Sequence, residues 1–329
     1  MKVFDLHSDL FTDIAWRRSK GEKQVFDRIH YPKLRRGLVE AVICVFWTER
    51  KFRDDPYMRF QFLYEHVMAD LLESEHALIC RTAADLETPS SKVKIILGLE
   101  GLSFINGWQG VSNEEKVLNA FEALNANGFR HAILSWNEQN FLASGTGIGH
   151  TDVEKGLTEH GKSAIQLMES ERWMIDVSHM DEASFNGIVQ MTEGPIFASH
   201  SNAKTVCDNE RNLSDEQLRT IARSGGIIGL NAYYEFIDPD KPTIDRLIDH
   251  AIYIADLVGT DHLSFGFDFI DFLQPYGSLD GVTGSTGGLE TVEQVPALIE
   301  KLRMRGFSEM ELNDICYGNA FRFVKHHMQ

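Results

Sequence analysis

Short apolar runs that alternate with helical patterns constrain the fold of this chain more than any other feature. Eight such runs occur along its 329 residues, at 4–10, 39–47, 93–100, 131–136, 173–179, 195–201, 226–234 and 262–269. Most are rich in β-branched and aromatic residues and are followed by apolar residues at helical spacing, which is typical of parallel strands with crossover helices. We therefore predict an α/β protein, a single (β/α)8 TIM-type barrel formed as one domain by residues 1–329.

An open doubly wound sheet is the alternative to a barrel. It would not need eight units, and it would carry a glycine-rich phosphate-binding turn, G-x-G-x-x-G, after its first strand. The sequence has no such motif there. Helices are expected between the strands, among them one over about 57–84 and one over about 244–258, and Ser214 with Gln217 is typical of a helix start.

The charge and the cysteines exclude several classes of partner and site. A formal net charge of −17 disfavours nucleic acid and anionic membranes, because their phosphates repel an acidic protein. No apolar stretch is long enough to cross a bilayer, and none follows a basic N-terminal segment, so we expect a soluble, cytoplasmic protein. Cysteines without C-x-x-C spacing predict reduced, mostly buried thiols rather than disulfides or a zinc knot; they are Cys44, Cys80, Cys207 and Cys316.

Ionisable residues occur at the ends of several predicted strands. In an α/β barrel the carboxyl ends of the strands surround the active site, so side chains at these positions are expected to converge. An unpaired buried acid is expensive, which favours a metal site over a set of unrelated polar strand ends. The residues are His7 and Asp9 in the first strand, Glu100 in the third, His179 in the fifth, His200 in the sixth and Asp268 in the eighth.

Three histidines and two carboxylates exceed the needs of one catalytic ion but suffice for two ions joined by a carboxylate. Glu100 is the predicted bridge, because its strand lies between the first strand and the strands of His179 and His200. Two divalent cations favour a bridging hydroxide at neutral pH, which predicts a hydrolase. Asp268 is then available to move protons.

Several segments resemble the membrane (renal) dipeptidase family, whose members are two-zinc barrel enzymes that cleave dipeptides. They follow the family's order over nearly the whole chain: D-L-H-S-D (5–9), L-G-L-E-G (97–101), D-V-S-H (176–179), S-H-S-N-A (199–203), E-R-N-L-S-D (210–215), G-F-D-F (266–269) and Y-G-N-A-F-R (317–322). Amidohydrolases with H-x-H in the first strand are a poorer match, since Asp9 occupies the second of these positions.

The resemblance implies two Zn²⁺ per chain, a homodimer, and dipeptides, including those with a C-terminal D-residue, as substrates. It assigns one zinc to His7, Asp9 and Glu100, and the other to Glu100, His179 and His200.

The resemblance also implies roles for two residues outside the ligand set. Asp268 would take a proton from the attacking hydroxide and pass it to the departing amine. Arg211 would hold the free C-terminal carboxylate of the dipeptide, for which a guanidinium fork is suited. Without the family, a surface ion pair of Arg211 with Glu210 or Asp215 is the simpler interpretation.

One position departs from the family pattern. Where the family commonly has a histidine after the fourth strand, this chain has S-W-N at 135–137. Trp136 can donate from its indole N–H but cannot relay a proton. We expect the histidine's role to be weakened or to pass to Asn137 or another group, with Trp136 as a wall of the substrate pocket. His150, in the following loop, is a further alternative.

Three functional hypotheses follow. The leading one is a zinc dipeptidase in which a metal-bridging hydroxide attacks the peptide carbonyl. The missing histidine leaves open a second, a binuclear amidohydrolase that acts on cyclic amides, lactones or N-acyl amino acids. The third is an inactive barrel that serves as a binding or scaffold protein and holds no stoichiometric metal.

Overall fold

The apolar runs of the sequence form one parallel sheet. The computed structural model describes residues 1–148, 155–273 and 284–329. The strands in these ranges are β1 (Val3–Ser8), β2 (Val39–Trp47), β3 (Ala77–Cys80), β4 (Val93–Glu100), β5 (His131–Ile133), β6 (Met174–Asp176), β7 (Ile196–Phe197), β8 (Ile228–Leu230) and β9 (Leu263–Phe265). β2 and β4 are buried almost throughout, because the barrel interior covers one face and helices cover the other.

Eight of these strands form a nearly closed barrel, in the order β7, β6, β5, β4, β2, β1, β9, β8. A parallel bridge between Ala198 and Ile228 joins the two ends of this order. Glycine is needed where β8 and β9 approach the chain after β7, because a Cβ on Gly229 or Gly266 would lie 1.8 or 1.7 Å from the Ser199 carbonyl oxygen. The predicted (β/α)8 barrel is therefore confirmed, and the doubly wound alternative is wrong.

Helices cover the outside of the barrel. In the described ranges they are α1 (Leu10–Ser19), α2 (Tyr31–Arg36), α3 (Pro56–Glu73), α4 (Ala83–Glu87), α5 (Asn113–Ala126), α6 (Glu159–Ser170), α7 (Glu182–Met191), α8 (Asp215–Arg223), α9 (Tyr234–Ile237), α10 (Ile244–Val258), α11 (Val295–Met304), α12 (Glu309–Asn313) and α13 (Asn319–His327). Ser214 and Gln217 cap the start of α8 reciprocally, as predicted. None of these helices has the length and apolarity that a bilayer crossing requires.

The predicted helix over 57–84 is wrong after residue 73. The helix α3 ends at Glu73, and Ala77–Cys80 forms β3, which pairs with the first half of β4. Ser74 explains the change, because its backbone is extended and its hydroxyl accepts hydrogen bonds from His76 N (3.0 Å) and Ala77 N (2.9 Å). These bonds satisfy amides that a longer helix would have used.

Several strands end earlier than their apolar runs. The strands β6, β7 and β9 each end three residues before His179, His200 and Asp268, respectively. The backbone at His179 and Asp268 has positive φ, 66° and 57°. Non-glycine residues rarely adopt this conformation, and it is common where a site dictates the direction of a side chain. These residues therefore lie on turns just beyond the strands rather than within them. The four cysteines are free and buried, as predicted.

Candidate metal centre

The five predicted ligands meet at the carboxyl end of the barrel, with Glu100 in the middle. Its Oε2 atom lies 3.6 Å from His7 Nε2. Its Oε1 atom lies 2.9 Å from His179 Nε2 and 3.6 Å from His200 Nε2. Asp9 Oδ2 lies 3.6 Å from the same His7 Nε2 atom. The two oxygens of one buried carboxylate thus face two different groups of side chains.

His179 and His200 point the same ring nitrogen at each other. Their Nε2 atoms are 2.8 Å apart. The Nδ1 atom of His179 is hydrogen bonded to Asn137 Oδ1 (2.7 Å), and that of His200 to Ser199 Oγ (2.7 Å). When Nδ1 of each ring carries the proton, both Nε2 lone pairs converge on one point, which is the arrangement of metal-binding histidines.

His7 and Asp9 also fit a cation. Both ring nitrogens of His7 and the Oδ1 atom of Asp9 are buried without a hydrogen-bond partner in the described part of the chain. Buried polar atoms of this kind are rare in proteins, since each carries a desolvation penalty. The donor atoms of His7, Glu100 and His200 lie within 4.8 Å of one another, so the two groups of donors adjoin at Glu100. These residues therefore fit a metal ion.

The pKa values of the clustered side chains are shifted in the direction expected when buried carboxylates lack a neutralising cation. Burial raises the pKa of Glu100 to about 8 and that of Asp268 to about 6. Although burial acts against it, the carboxylates of Glu100 and Asp9 raise the pKa of His7 well above its ordinary value. Burial lowers the pKa values of His179 and His200, which keeps both rings neutral. A divalent cation would lower the pKa values of the carboxylates, because its charge stabilises their ionised forms, and it would take the neutral imidazoles as ligands.

Asp268 lies beside this cluster. Its Oδ1 atom is 3.9 Å from His7 Nε2, and its Oδ2 atom accepts a hydrogen bond from Asn231 Nδ2 (3.1 Å). The donor atoms of His7, Asp9 and Asp268 lie within 4.8 Å of one another, so this carboxylate is also close enough to be a ligand. Its exposed fraction, 15% of the side chain, leaves it open to the barrel mouth.

Arg211 is buried near the same mouth and does not form the surface ion pair considered as an alternative. Its Nη1 atom donates to Ser201 Oγ (3.3 Å) and its Nη2 atom to the His200 carbonyl oxygen (3.2 Å). Its guanidinium lies over the Phe236 ring, 5.2 Å from the centroid. Burial lowers the pKa of Arg211 to about 10, so it remains charged at neutral pH. Within the described ranges it pairs with no carboxylate, and its Nε atom has no partner.

Trp136 and Asn137 lie on the adjoining side of the mouth. The half-buried Trp136 ring is 6.2 Å from the His179 ring and 5.0 Å from the Trp47 ring. The Asn137 side-chain oxygen is occupied by His179 and by Thr146 Oγ1 (3.0 Å). Asn137 therefore orients a histidine, and its contact with substrate stays a prediction. His150 lies outside the described residues.

Three residues near the centre have roles that sequence reasoning missed. They are Asp176, Ser199 and Asn231, which hold turns and side chains of the site by hydrogen bonds. Asn231 directly follows β8, so its place at a strand end was an available signal. Asp176 and Ser199 lie inside the family segments D-V-S-H and S-H-S-N-A, but nothing in the spacing shows which groups they contact.

Comparisons with known proteins identify relatives of this chain. A Klebsiella pneumoniae protein, described as an uncharacterized protein in the pqqA 5′ region, is 32% identical over 256 residues, which cover 75% of this chain and 88% of that protein. A Schizosaccharomyces pombe protein, described as an uncharacterized dipeptidase, is 31% identical over 328 residues, which cover 92% of this chain and 74% of that protein.

Solved structures support the fold. A metallo peptidase from Rhodobacter sphaeroides, liganded with a phosphinate mimic of the dipeptide L-Ala-D-Ala, matches with a TM-score of 0.84 at 21% identity, over 100% of this chain and 99% of that one. The family model described as membrane dipeptidase, peptidase family M19, matches residues 1–329. The predicted family and enzyme class are therefore confirmed: the chain belongs to the membrane dipeptidase family and is a metal-dependent dipeptidase.

Proposed function

We propose that this dipeptidase binds two zinc ions, one on either side of Glu100, and hydrolyses dipeptides whose C-terminal residue is L or D. The observation that carries the proposal is the orientation of the Glu100 carboxylate. One of its oxygens faces His7, and the other faces His179 and His200. A carboxylate that faces two groups of donors at once is suited to bridge two ions.

Each ion would have its own ligands besides the shared carboxylate. His7 and Asp9 would hold the first, and His179 and His200 the second. Imidazole nitrogen and carboxylate oxygen are common ligands of zinc, and the two rings that use Nε2 are already oriented through Nδ1. When bound, the two ions supply a water-derived nucleophile at neutral pH and polarise the carbonyl of the scissile bond.

Asp268 would carry the proton from the attacking water to the departing amine. Its Oδ1 atom lies 3.9 Å from His7 Nε2, beside the place where the attacking water would be held, and a carboxylate at that position can accept a proton and return it. The hydrogen bond from Asn231 fixes Oδ2 and leaves Oδ1 directed at the cluster. One carboxylate can therefore serve the two proton transfers that peptide hydrolysis requires.

Arg211 would bind the C-terminal carboxylate of the substrate. It is a buried cation that no carboxylate of the described ranges neutralises, and its Nε atom lacks a partner. A buried guanidinium is strongly stabilised by a carboxylate that approaches its fork. The Rhodobacter sphaeroides structure, liganded with an L-Ala-D-Ala mimic, supports a dipeptide with a C-terminal D-residue as one substrate.

The single domain over 1–329, the homodimer and the cytoplasmic location stay predictions.

The experiment is a combined metal and activity measurement. Protein purified without chelator should contain two zinc ions per chain by elemental analysis and should cleave L-Ala-L-Ala and L-Ala-D-Ala. Asp268→Asn should lower kcat by about 10²–10⁴-fold, the usual contribution of a general acid–base group, while keeping the metal content. A lactone, a cyclic amide and an N-acyl amino acid serve as comparison substrates. Faster turnover of any of these, or unchanged turnover by Asp268→Asn, would refute the proposal.

A further inference from the structure

A basic loop follows β2 at the rim of the barrel mouth. It has the sequence R-K-F-R, residues 50–53, in a chain whose net charge is −17. Two of its guanidinium groups lie against the Trp136 ring: the Cζ atom of Arg53 is 5.6 Å from the ring centroid, and that of Arg50 is 6.0 Å away. Both arginines are exposed. Asp54 and Asp55 follow directly, so the positive charge beside this aromatic side chain comes from the two guanidinium groups and not from the segment as a whole.

Trp136 connects this loop to the metal centre. Its ring lies 6.2 Å from the ring of His179. Its Cβ atom lies next to Gly101, the residue after Glu100, since a Cβ on that glycine would come within 3.3 Å of it. A substrate whose scissile bond is held at Glu100 and His179 would therefore meet the indole and the arginines beside it.

The two arginines differ in their partners. Arg53 Nη2 donates to Glu138 Oε2 at 3.3 Å, so its charge is largely compensated. The preceding acidic residue, Glu49, is buried and forms two short hydrogen bonds with Arg59 (2.6 and 2.7 Å). Arg50 forms no ion pair with any carboxylate in the ranges that the structure describes. As far as the described residues go, its guanidinium therefore remains available to another acceptor.

The barrel order places this loop across the mouth from Arg211. The strands β2 and β7 lie four places apart in the ring of eight, and are therefore opposite each other. Arg50 follows β2, and Arg211 follows β7. A dipeptide whose C-terminal carboxylate is bound by Arg211 would direct its N-terminal residue toward Arg50 and Trp136.

We propose that Arg50 and Trp136 form the pocket for the N-terminal side chain and that this pocket selects an acidic residue, glutamate or aspartate. The inference rests on the proposed function, because it needs the dipeptide orientation given by Arg211. The indole face covers the methylene groups of the side chain and excludes water from one side. The Arg50 fork then receives the carboxylate, an interaction that strengthens as water is displaced.

The test compares isosteric substrates that differ only in charge. L-Glu-L-Ala and L-Gln-L-Ala probe the N-terminal position, and L-Ala-L-Glu and L-Ala-L-Gln probe the C-terminal one. We expect kcat/KM to favour glutamate over glutamine about two- to fivefold at the N-terminal position alone, consistent with a partly exposed charge pair. The preference should shrink between 0.05 and 0.5 M salt because ions screen exposed charges.

Variants of Arg50 assign the effect to this side chain. The relevant quantity is the specificity ratio, kcat/KM for L-Glu-L-Ala divided by kcat/KM for L-Gln-L-Ala. Arg50→Gln should lower this ratio to near one. Arg50→Glu should lower it below one. The matched control is Arg223→Gln, which removes an exposed arginine at the end of α8, at the opposite end of the barrel, and should keep the wild-type ratio.

Two results would overturn the inference in distinguishable ways. Hydrolysis of all four dipeptides without a preference for N-terminal glutamate, or a preference that survives Arg50→Gln, refutes the acidic pocket and leaves the dipeptidase function intact. Failure of the metal-replete protein to cleave any dipeptide refutes the proposed function and this inference together.

Discussion

Asp176 offers a sharp test of how the barrel positions its histidines. This buried carboxylate, at the end of β6, accepts hydrogen bonds through Oδ1 from the backbone amides of Ser178 (2.9 Å) and Ser199 (3.1 Å). Its Oδ2 atom is 2.8 Å from His131 Nε2. Each serine immediately precedes one histidine of the second proposed zinc site. One side chain therefore holds both turns that carry these ligands.

The structure predicts different effects for two substitutions of Asp176. Asp176→Ala removes the charged contact with His131, about 1.5–3 kcal/mol, and leaves two buried amides without an acceptor, at about 1–3 kcal/mol each, so we expect a loss of about 3.5–9 kcal/mol in the free energy of unfolding. Asp176→Asn keeps an oxygen for both amides and loses only the charged contact with His131, about 1.5–3 kcal/mol. Because the turns carry two ligands, the alanine variant should also bind metal at the second site about 10–100-fold more weakly.

Urea denaturation of the metal-free proteins measures the stability difference, and chelator competition measures each metal affinity. Asp70→Ala is the matched control, because the buried Asp70 also accepts two backbone hydrogen bonds, from Val25 N (3.0 Å) and Phe26 N (2.8 Å), and contacts no proposed ligand. It should destabilise the protein without weakening zinc binding. Equal destabilisation by the alanine and asparagine variants of Asp176, or wild-type zinc affinity in Asp176→Ala, would refute the reasoning.

Three further predictions concern the same centre. The metal-free protein should lose stability as pH rises from 6.5 to 8.5. Burial raises the pKa of Glu100 to about 8 and that of Asp5 to about 7, so the folded state holds protons that the unfolded state has released. Urea midpoints that rise over this pH range would contradict this prediction. Arg211→Lys keeps the charge but loses the two-pronged guanidinium. In steady-state assays it should raise KM for dipeptides about tenfold, with a smaller change in kcat. An unaltered KM would argue against binding of the substrate carboxylate by Arg211. Asn137→Ala, which removes the acceptor for His179 Nδ1, should weaken zinc binding about 10–100-fold in chelator competition, whereas wild-type affinity would mean that the ring needs no such support.

The fold could be predicted largely from local patterns. The apolar runs at 39–47 and 93–100 coincide residue for residue with β2 and β4. Such runs have no solvent face, so their composition alone reports a strand buried on both sides. The order of the elements then determined the barrel, and the barrel placed residues at strand ends around one mouth. For that reason six residues from five separate strands could be expected to converge before any coordinates were known.

Tertiary contacts decided what local patterns cannot encode. One example is the left-handed backbone at His179 and Asp268. Others are the contact of Asn137 with His179 and the two backbone hydrogen bonds that Asp176 accepts. Likewise, Asp5 Oδ1 accepts a hydrogen bond from Phe267 N, 262 residues away, at 2.9 Å. Hydrophobic periodicity specifies which face of an element is buried, but not which polar atom of a distant turn lies opposite. The directions of the ligands and their shifted pKa values therefore arise only when the barrel closes and removes water from the centre.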